Sequence, residues 1–315
     1  MADHPETVGG YIVTEVLDRE ASGGAVYKAR ERGGAEPVVV KVLDAAIAAD
    51  PERLGRFHQQ VEAARALHHP NLVRILDAGA DGARVWVARE FFDGTTLADL
   101  RRRRDLGVRE SLSILKEVAS GLAAIHAAGH VHGNLNPRSI LVSPNLKAVK
   151  IADFGLTGLE PQPGEGTMAT RQTRAAAIHY MAPERALSPD DFDARADVYS
   201  AGAVLFELLT GRLPTGRLDL PSQQADVPPE VDPVVLRCLN TDAGGRYTSG
   251  GELLGAFAQL EDQLRFGLVH DLQGMSRSTS RWLKGSGARS RKALWIGLAL
   301  LGLAAAGVVG FLLAG

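Results

Sequence analysis

The sequence predicts an α+β architecture in two lobes, a small β-rich lobe followed by a larger α-helical one, with a separate membrane-spanning helix at its C-terminal end. Three observations predict it. Short Val-rich runs separated by turn residues fill the stretch from Tyr11 to Leu43. Apolar residues at helical steps dominate from Leu97 onward. Ala293 to Gly315 reads ALWIGLALLGLAAAGVVGFLLAG, in which the indole of Trp295 is the one polar side-chain group.

In chain order, YIVTEVL, AVYKA and PVVVKVL read as strands of a small sheet. Leu54, Phe57, Val61, Ala64 and Leu67 recur at three- and four-residue steps and predict an amphipathic helix stopped by Pro70. RVWVAREFF is a further strand, followed by a turn at Asp93-Gly94. Leu112, Leu115, Val118, Leu122 and Ile125 predict one long helix closed by Gly129, and Val198, Val204, Leu205 and Leu208 another closed by Gly211. Val131 to Glu184, between them, reads as short strands and loops.

The bulk numbers exclude several classes. Of 315 residues, 45% are hydrophobic and 23% charged, with a formal net charge of −2, so the basic excess of a nucleic-acid binder is missing. The lone Cys238 excludes an internal disulfide framework, and burial as a small apolar residue is its expected role.

About 22 apolar residues at a ~1.5 Å rise give ~33 Å of helix, the depth of a bilayer's hydrocarbon core. Arg277, Arg281, Lys284, Arg289, Arg291 and Lys292 precede that segment, with no acid from Met275 to Lys292. Positive flanks stay cytoplasmic, so the rest of the chain is expected in the cytosol beneath the cell membrane, held by a single-pass C-terminal anchor. The start, MADHPETVGG, has neither the basic nor the apolar region of a signal peptide. The expected organisation is a globular domain over 11–262, a basic juxtamembrane linker over 263–291 and a transmembrane helix over 292–315. Gly302, Ala306, Gly310 and Ala314 line one face of that helix. Such a stripe suits close pairing of two helices into a homodimer, and it also arises because Gly and Ala are common in membrane helices.

The motifs then come in a telling order. Lys41 in VVVKVL, His69-Pro70-Asn71, the loop HGNLNPRSIL from His132 to Leu141, Asp153-Phe154-Gly155, Ala182-Pro183-Glu184, Asp197 and Arg246 follow one another as in protein kinases. From Tyr11 to about Leu260 the chain resembles the bacterial serine/threonine class of that family. The resemblance implies a bilobal protein-kinase-like fold and, as cofactors, ATP and Mg²⁺. It places the nucleotide against Gly24, Val26, Val39, Lys41, Arg89, Glu90 and Leu141. Lys41 would neutralise phosphate charge and Asp153 would hold Mg²⁺. It also implies structural roles: a Glu184–Arg246 ion pair bracing the helical lobe, and Asp197 holding the backbone of the His132 loop.

Against that pattern the chain departs at chemically expensive positions. The catalytic aspartate is Asn134, whose amide cannot accept a proton at neutral pH, a loss worth ~10²–10⁴ in rate. The phosphoryl-stabilising lysine is Asn136, and the second metal ligand is Ser139, a poorer donor. The usual threonine before the Ala-Pro-Glu motif is Ala177, and Gly133 replaces the arginine that would read a phosphate on Thr167, Thr170 or Thr173. Of three phosphate-loop glycines only Gly24 survives, the others being Arg19 and Ala21. The helix glutamate that pairs with Lys41 falls on Gln60, leaving the lysine without its fixed anionic partner. Val39 crowds the adenine site, and Arg89 stands at the gatekeeper position before Glu90. With Ala64 leaving room beside it, Arg89 is expected to fill the back of the pocket and lock one lobe arrangement.

Taken together, these losses predict a membrane-held pseudokinase that recruits or modulates another protein, such as an active kinase or a membrane-associated protein. The competing expectation is an active ATP-dependent serine/threonine kinase with a displaced base.

Overall fold

The structure is a computed structural model, and it describes residues 5–19, 24–82, 84–156, 177–188, 192–216 and 218–265. The chain divides into two units, Met1–Ala258 and Gln259–Gly315. Of the second, residues 259–265 are described and are helical. Among the described residues no helix is long and apolar enough to cross a membrane. The expected linker beyond residue 265 and the expected span over 292–315 lie outside the described residues, as do Ala21, Thr167, Thr170 and Thr173.

Six strands form the first sheet: β1 (Thr7–Val8), β2 (Tyr11–Arg19), β3 (Ala25–Glu31), β4 (Pro37–Val42), β5 (Ile75–Asp81) and β6 (Arg84–Glu90). Their order is β1-β2-β3-β4-β6-β5, antiparallel throughout. The expected Val-rich runs fall on β2, β3, β4 and β6. The edge strand β5, ILDAGAD, escaped the sequence reading because it has no apolar alternation and none of its residues is fully buried.

Because side chains alternate along a strand, the sheet sorts its residues onto two faces. Val38, Val40 and Val42 of β4 pack with Tyr11, Tyr27, Trp86 and Ala88. Val85 and Val87 of β6 pack on the opposite side against Phe57 and Val61. Those two belong to α2 (Pro51–Ala66), which follows the short α1 (Ala45–Ala49). Asp50 caps α2 through its carboxylate, accepting from the backbone N–H of Glu52 and Arg53, and Pro51 fills the first turn. As the periodicity predicts, Phe57, Val61 and Ala64 form its buried stripe, and the helix ends at Ala66, four residues before Pro70.

The second lobe opens with β7 (Thr95–Thr96), which pairs antiparallel with β8 (Ile140–Val142), itself paired with β9 (Val149–Ile151). Its helices are α3 (Leu97–Arg103), α4 (Val108–Ala127), α5 (Pro183–Leu187), α6 (Ala194–Thr210), α7 (Pro221–Gln224) and α8 (Asp232–Cys238), and residues 250–258 are helical. Thirteen of the seventeen residues of α6 are buried, which makes it the core helix of this lobe, packed against α4 and α8. Gly211 ends α6 in a left-handed turn (φ +70°), with its N–H bonded to the Glu207 carbonyl. Cys238 is 1% exposed, and burial pushes its thiol up to about 12, so it serves as a packing residue.

Asn71 of the His-Pro-Asn motif stitches the lobes together. Its side-chain amide donates to Glu117 Oε2 at 2.6 Å and to the Val149 carbonyl at 3.0 Å, and its own carbonyl accepts from Ile151 N at 2.8 Å. The strand carrying Ile151 runs two residues on to Asp153, so this stitch fixes the height of that carboxylate relative to the first sheet.

Candidate functional site

The cleft between the lobes is roofed by the first sheet, and register determines which residues face it. Val26 lies directly opposite Lys41, Lys28 opposite Val39, Val39 opposite Arg89, and Lys41 opposite Val87. Directly opposed residues point to the same side, so Val26, Lys28, Val39, Lys41, Val87 and Arg89 share one face. Val39 is buried, and the Lys28 ammonium lies 4.6 Å from the centre of the Phe91 ring just after β6. Gly24 is buried at the head of β3, and Leu141 sits in β8 opposite Lys150.

Below the roof, Asp153 adopts φ +64°, a left-handed conformation that Asp tolerates better than most residues. Its Oδ2 accepts from Lys41 Nζ at 3.0 Å and its Oδ1 from Arg89 Nη1 at 2.8 Å. The sequence left Lys41 without an anionic partner; the structure corrects this, because Asp153 supplies one. Burial opposes ionisation of Asp153, but the charges of Lys41 and Arg89 outweigh it and hold the carboxyl far below the usual carboxylate range. Gln60 does not replace the missing glutamate: its Oε1 is buried and has no hydrogen-bond partner among the described residues.

Arg89 does occupy the back of the cleft. With Lys41, Ala64, Val87, Asp153 and Phe154 it lines a cavity of about 20 Å³, room for about one water. Gly155 explains how closely α2 approaches. At φ +83°, an added Cβ would stand 2.7 Å from Ala64 Cβ and 3.0 Å from the Gln60 carbonyl oxygen. Replacing Gly155 by alanine therefore forces α2 away and strains the backbone, with an expected cost of about 2 kcal/mol in chemical denaturation of the full chain.

The loop that begins at His132 is held as the motif implies. Asp197, fully buried at the start of α6, accepts from His132 N and Gly133 N at 2.7 Å each. Sequence reasoning missed its third partner, His126 of α4, whose Nε2 lies 2.9 Å away. The other ring nitrogen, Nδ1, accepts from Gly250 N at 2.9 Å, which assigns the proton to Nε2 and makes it the donor to Asp197. Within the loop, Asn134 donates its N–H to His132 Nδ1 at 3.2 Å. Asn136 Nδ2 donates to the Asn134 carbonyl at 2.8 Å, and its Oδ1 accepts from Arg138 N at 2.9 Å. The Ser139 hydroxyl accepts from Asn136 N at 3.0 Å and donates to the Asn136 carbonyl at 2.9 Å. Asn136 and Ser139 are thus loop staples, both buried and both satisfied by their own segment.

Two more ion pairs cross between the lobes, and neither left a signal in the sequence. Lys150 of β9 reaches Glu90 Oε1 at 2.6 Å, where Arg74 N also donates, so the Glu90 side chain is a structural acceptor. Arg138 reaches Asp18 at the end of the first sheet at 2.7 Å, with both side chains close to half exposed. Deeper in the second lobe, Glu184 and Arg246 form the expected pair, two parallel bonds of 2.7 and 2.8 Å.

A two-lobed fold with a roof lysine, an Asp-Phe-Gly turn and a Glu–Arg brace is that of the protein kinases. The model of the protein kinase domain matches residues 20–244, and the chain belongs to that family. It is 34% identical over 248 residues to the serine/threonine-protein kinase PknB of Mycolicibacterium smegmatis, covering 72% of this chain and 39% of that protein. To the serine/threonine-protein kinase pkn3 of Myxococcus xanthus it is 33% identical over 222 residues, 67% of this chain and 40% of that one. The chain thus spans about two-fifths of the length of these relatives. Among solved structures, the kinase domain of Mycobacterium tuberculosis PknI superposes with a TM-score of 0.66 at 28% identity, covering 81% of this chain and 97% of that one. Membership of the family implies ATP and Mg²⁺ as its general cofactors.

Proposed function

We propose that this chain is a pseudokinase: a kinase-fold regulatory or scaffolding module for signalling, held at the cytosolic face of the cell membrane by its C-terminal helix. The observation that carries the reading is the catalytic loop. Where a kinase needs a base, a phosphoryl-stabilising cation and a metal ligand, it carries Asn134, Asn136 and Ser139. The latter two spend their polar atoms on their own backbone. Neither amide titrates near neutrality, and neither carries charge to offer a transferring phosphoryl group. Nearly all of a kinase's rate enhancement is positioning and charge stabilisation, so little is left to supply it.

The donor set does not fit Mg²⁺. A hard divalent cation wants several free oxygens. Here both Asp153 oxygens already accept from cations, and Ser139 is buried in its loop. The partner in this reading is a protein, an active kinase or a membrane-associated protein, and no nucleic acid, since the chain lacks a basic excess; the small-residue stripe offers a second copy of the chain as a further partner.

Phosphate transfer tests the reading. The full chain is incubated with labelled ATP and either Mg²⁺ or Mn²⁺, with a generic acceptor protein, beside an Asp153→Ala control. The expected result is no labelling above the control under either metal. Labelling of the chain or the acceptor that the control abolishes would make this an active serine/threonine kinase and overturn the proposal.

A further inference from the structure

We infer that Arg89 is a resident cation standing in the metal's place at Asp153, so that the two lobes are drawn together by the chain's own charges and need no metal–nucleotide complex to close. Three independent features of the structure converge on it. The first is register: β6 sets Arg89 opposite Val39 on the cleft face, in the same layer as Lys41. The second is room: α2 presents Ala64 to the same cavity, so a long side chain passes behind the roof where a larger residue would block it. The third is occupancy, since each carboxylate oxygen already accepts from a cation, Oδ2 from Lys41 and Oδ1 from Arg89.

Charge arithmetic points the same way. Two cations already converge on the one carboxylate, and a divalent ion at Asp153 would be a third positive centre beside them. A Mg²⁺ at Asp153 would stand against the Arg89 and Lys41 charges, and like charges at contact distance repel most where water is thin. The bridges themselves run from one lobe to the other: Lys41 in β4 and Arg89 in β6 belong to the first sheet, and Asp153 follows β9 of the second. The cation that closes the cleft is thus covalently part of the chain and permanently in place.

Melting temperatures of the full chain, read with a non-hydrolysable ATP analogue in either Mg²⁺ or EDTA, test the inference. For the wild type the two conditions should agree within about 1 °C. Arg89→Met should gain about 5 °C in Mg²⁺ over EDTA at saturating analogue, because the Asp153 oxygen that Arg89 holds is then open to the metal, and Arg89→Met/Asp153→Asn should lose that gain. Arg89→Gln, neutral and closer in shape, serves where the methionine variant does not fold. A metal-dependent rise in the wild type that Asp153→Asn removes would overturn the inference, and so would a folded Arg89 variant with no metal-dependent gain. The labelling experiment has a separate readout: phosphate transfer would sink the pseudokinase reading, whereas a metal-dependent melting shift in the wild type sinks the resident cation.

Discussion

Arg246→Leu is expected to lower the melting temperature of the full chain by about 10 °C, the largest effect of any single substitution considered. The Arg246 side chain is 0% exposed. Its guanidinium makes five bonds: two to the Glu184 carboxylate, and one each to the carbonyls of Asn240 (2.7 Å), Arg195 (3.1 Å) and Thr241 (3.3 Å). It also lies 5.0 Å from the Tyr199 ring centre. Leucine fills part of the volume and strands one carboxylate and three carbonyls. Breaking such a pair costs about 3–5 kcal/mol because the remaining charge is left uncompensated, and each kcal/mol moves the midpoint of a domain this size by about 2–4 °C. Arg246→Lys keeps the charge but not the planar fork, so it should recover less than half of the loss.

The same pair predicts a pH dependence. Burial opposes ionisation of Glu184, but the hydrogen bond and charge from Arg246 prevail and hold its carboxyl below the ordinary value. A carboxylate depressed in the folded state contributes stability that is full above its unfolded value, near about 4.3, and is lost as pH falls through the folded value. Wild-type stability should therefore fall more steeply than that of Arg246→Leu as pH drops below about 4.5, and the two curves should converge in acid. Parallel curves would mean that Glu184 titrates without sensing Arg246.

How much of this was legible in the sequence depends on whether a residue's partner is local or distant. The β2, β3, β4 and β6 strands and the α2, α4 and α6 helices follow from periodicity and from punctuation by Pro and Gly, which act within a few residues. The ordered motifs then placed Lys41, Asp153, Glu184, Asp197 and Arg246, and two pairings implied by resemblance, Glu184–Arg246 and Asp197 with the His132 loop, stand in the structure. What stayed hidden is pairing that only the third dimension brings about. Lys150 and Glu90 are 60 residues apart, Arg138 and Asp18 are 120 apart, and His126 reaches Asp197 across 71. None of these carries a local pattern. The edge strand β5 was missed for the opposite reason: a strand with no fully buried residue needs no apolar alternation to form. Arg89 lies between the two cases. Its position announced an unusual cation and Ala64 announced the space for it, but only the fold shows that it and Lys41 converge on the same carboxylate.

That convergence predicts an inversion of what substitution at Asp153 does. In a metal-dependent kinase this aspartate serves the metal, so replacing it removes activity and leaves the fold largely intact. Here it is the shared counter-ion of two cations that are each only 14% exposed, so replacing it should be felt in stability. Asp153→Asn is expected to cost about 3 kcal/mol in chemical denaturation, since Lys41 and Arg89 then face one another without this anion between them. Arg89→Met alone should cost less than about 1 kcal/mol, because Asp153 keeps Lys41 and the apolar chain suits the cavity behind the roof. The double variant should then be more stable than the sum of the single losses allows, with a coupling of at least about 1.5 kcal/mol. Additivity within about 0.5 kcal/mol would show that the two groups touch without depending on one another. Salt separates this cluster from the surface pair that also crosses the cleft. Arg138 and Asp18 are close to half exposed, and their contribution should fade between about 0.05 and 0.5 M salt, roughly a threefold shortening of the screening length. The Arg89–Asp153 coupling is shielded from bulk ions by the roof and by α2, and should persist over the same range.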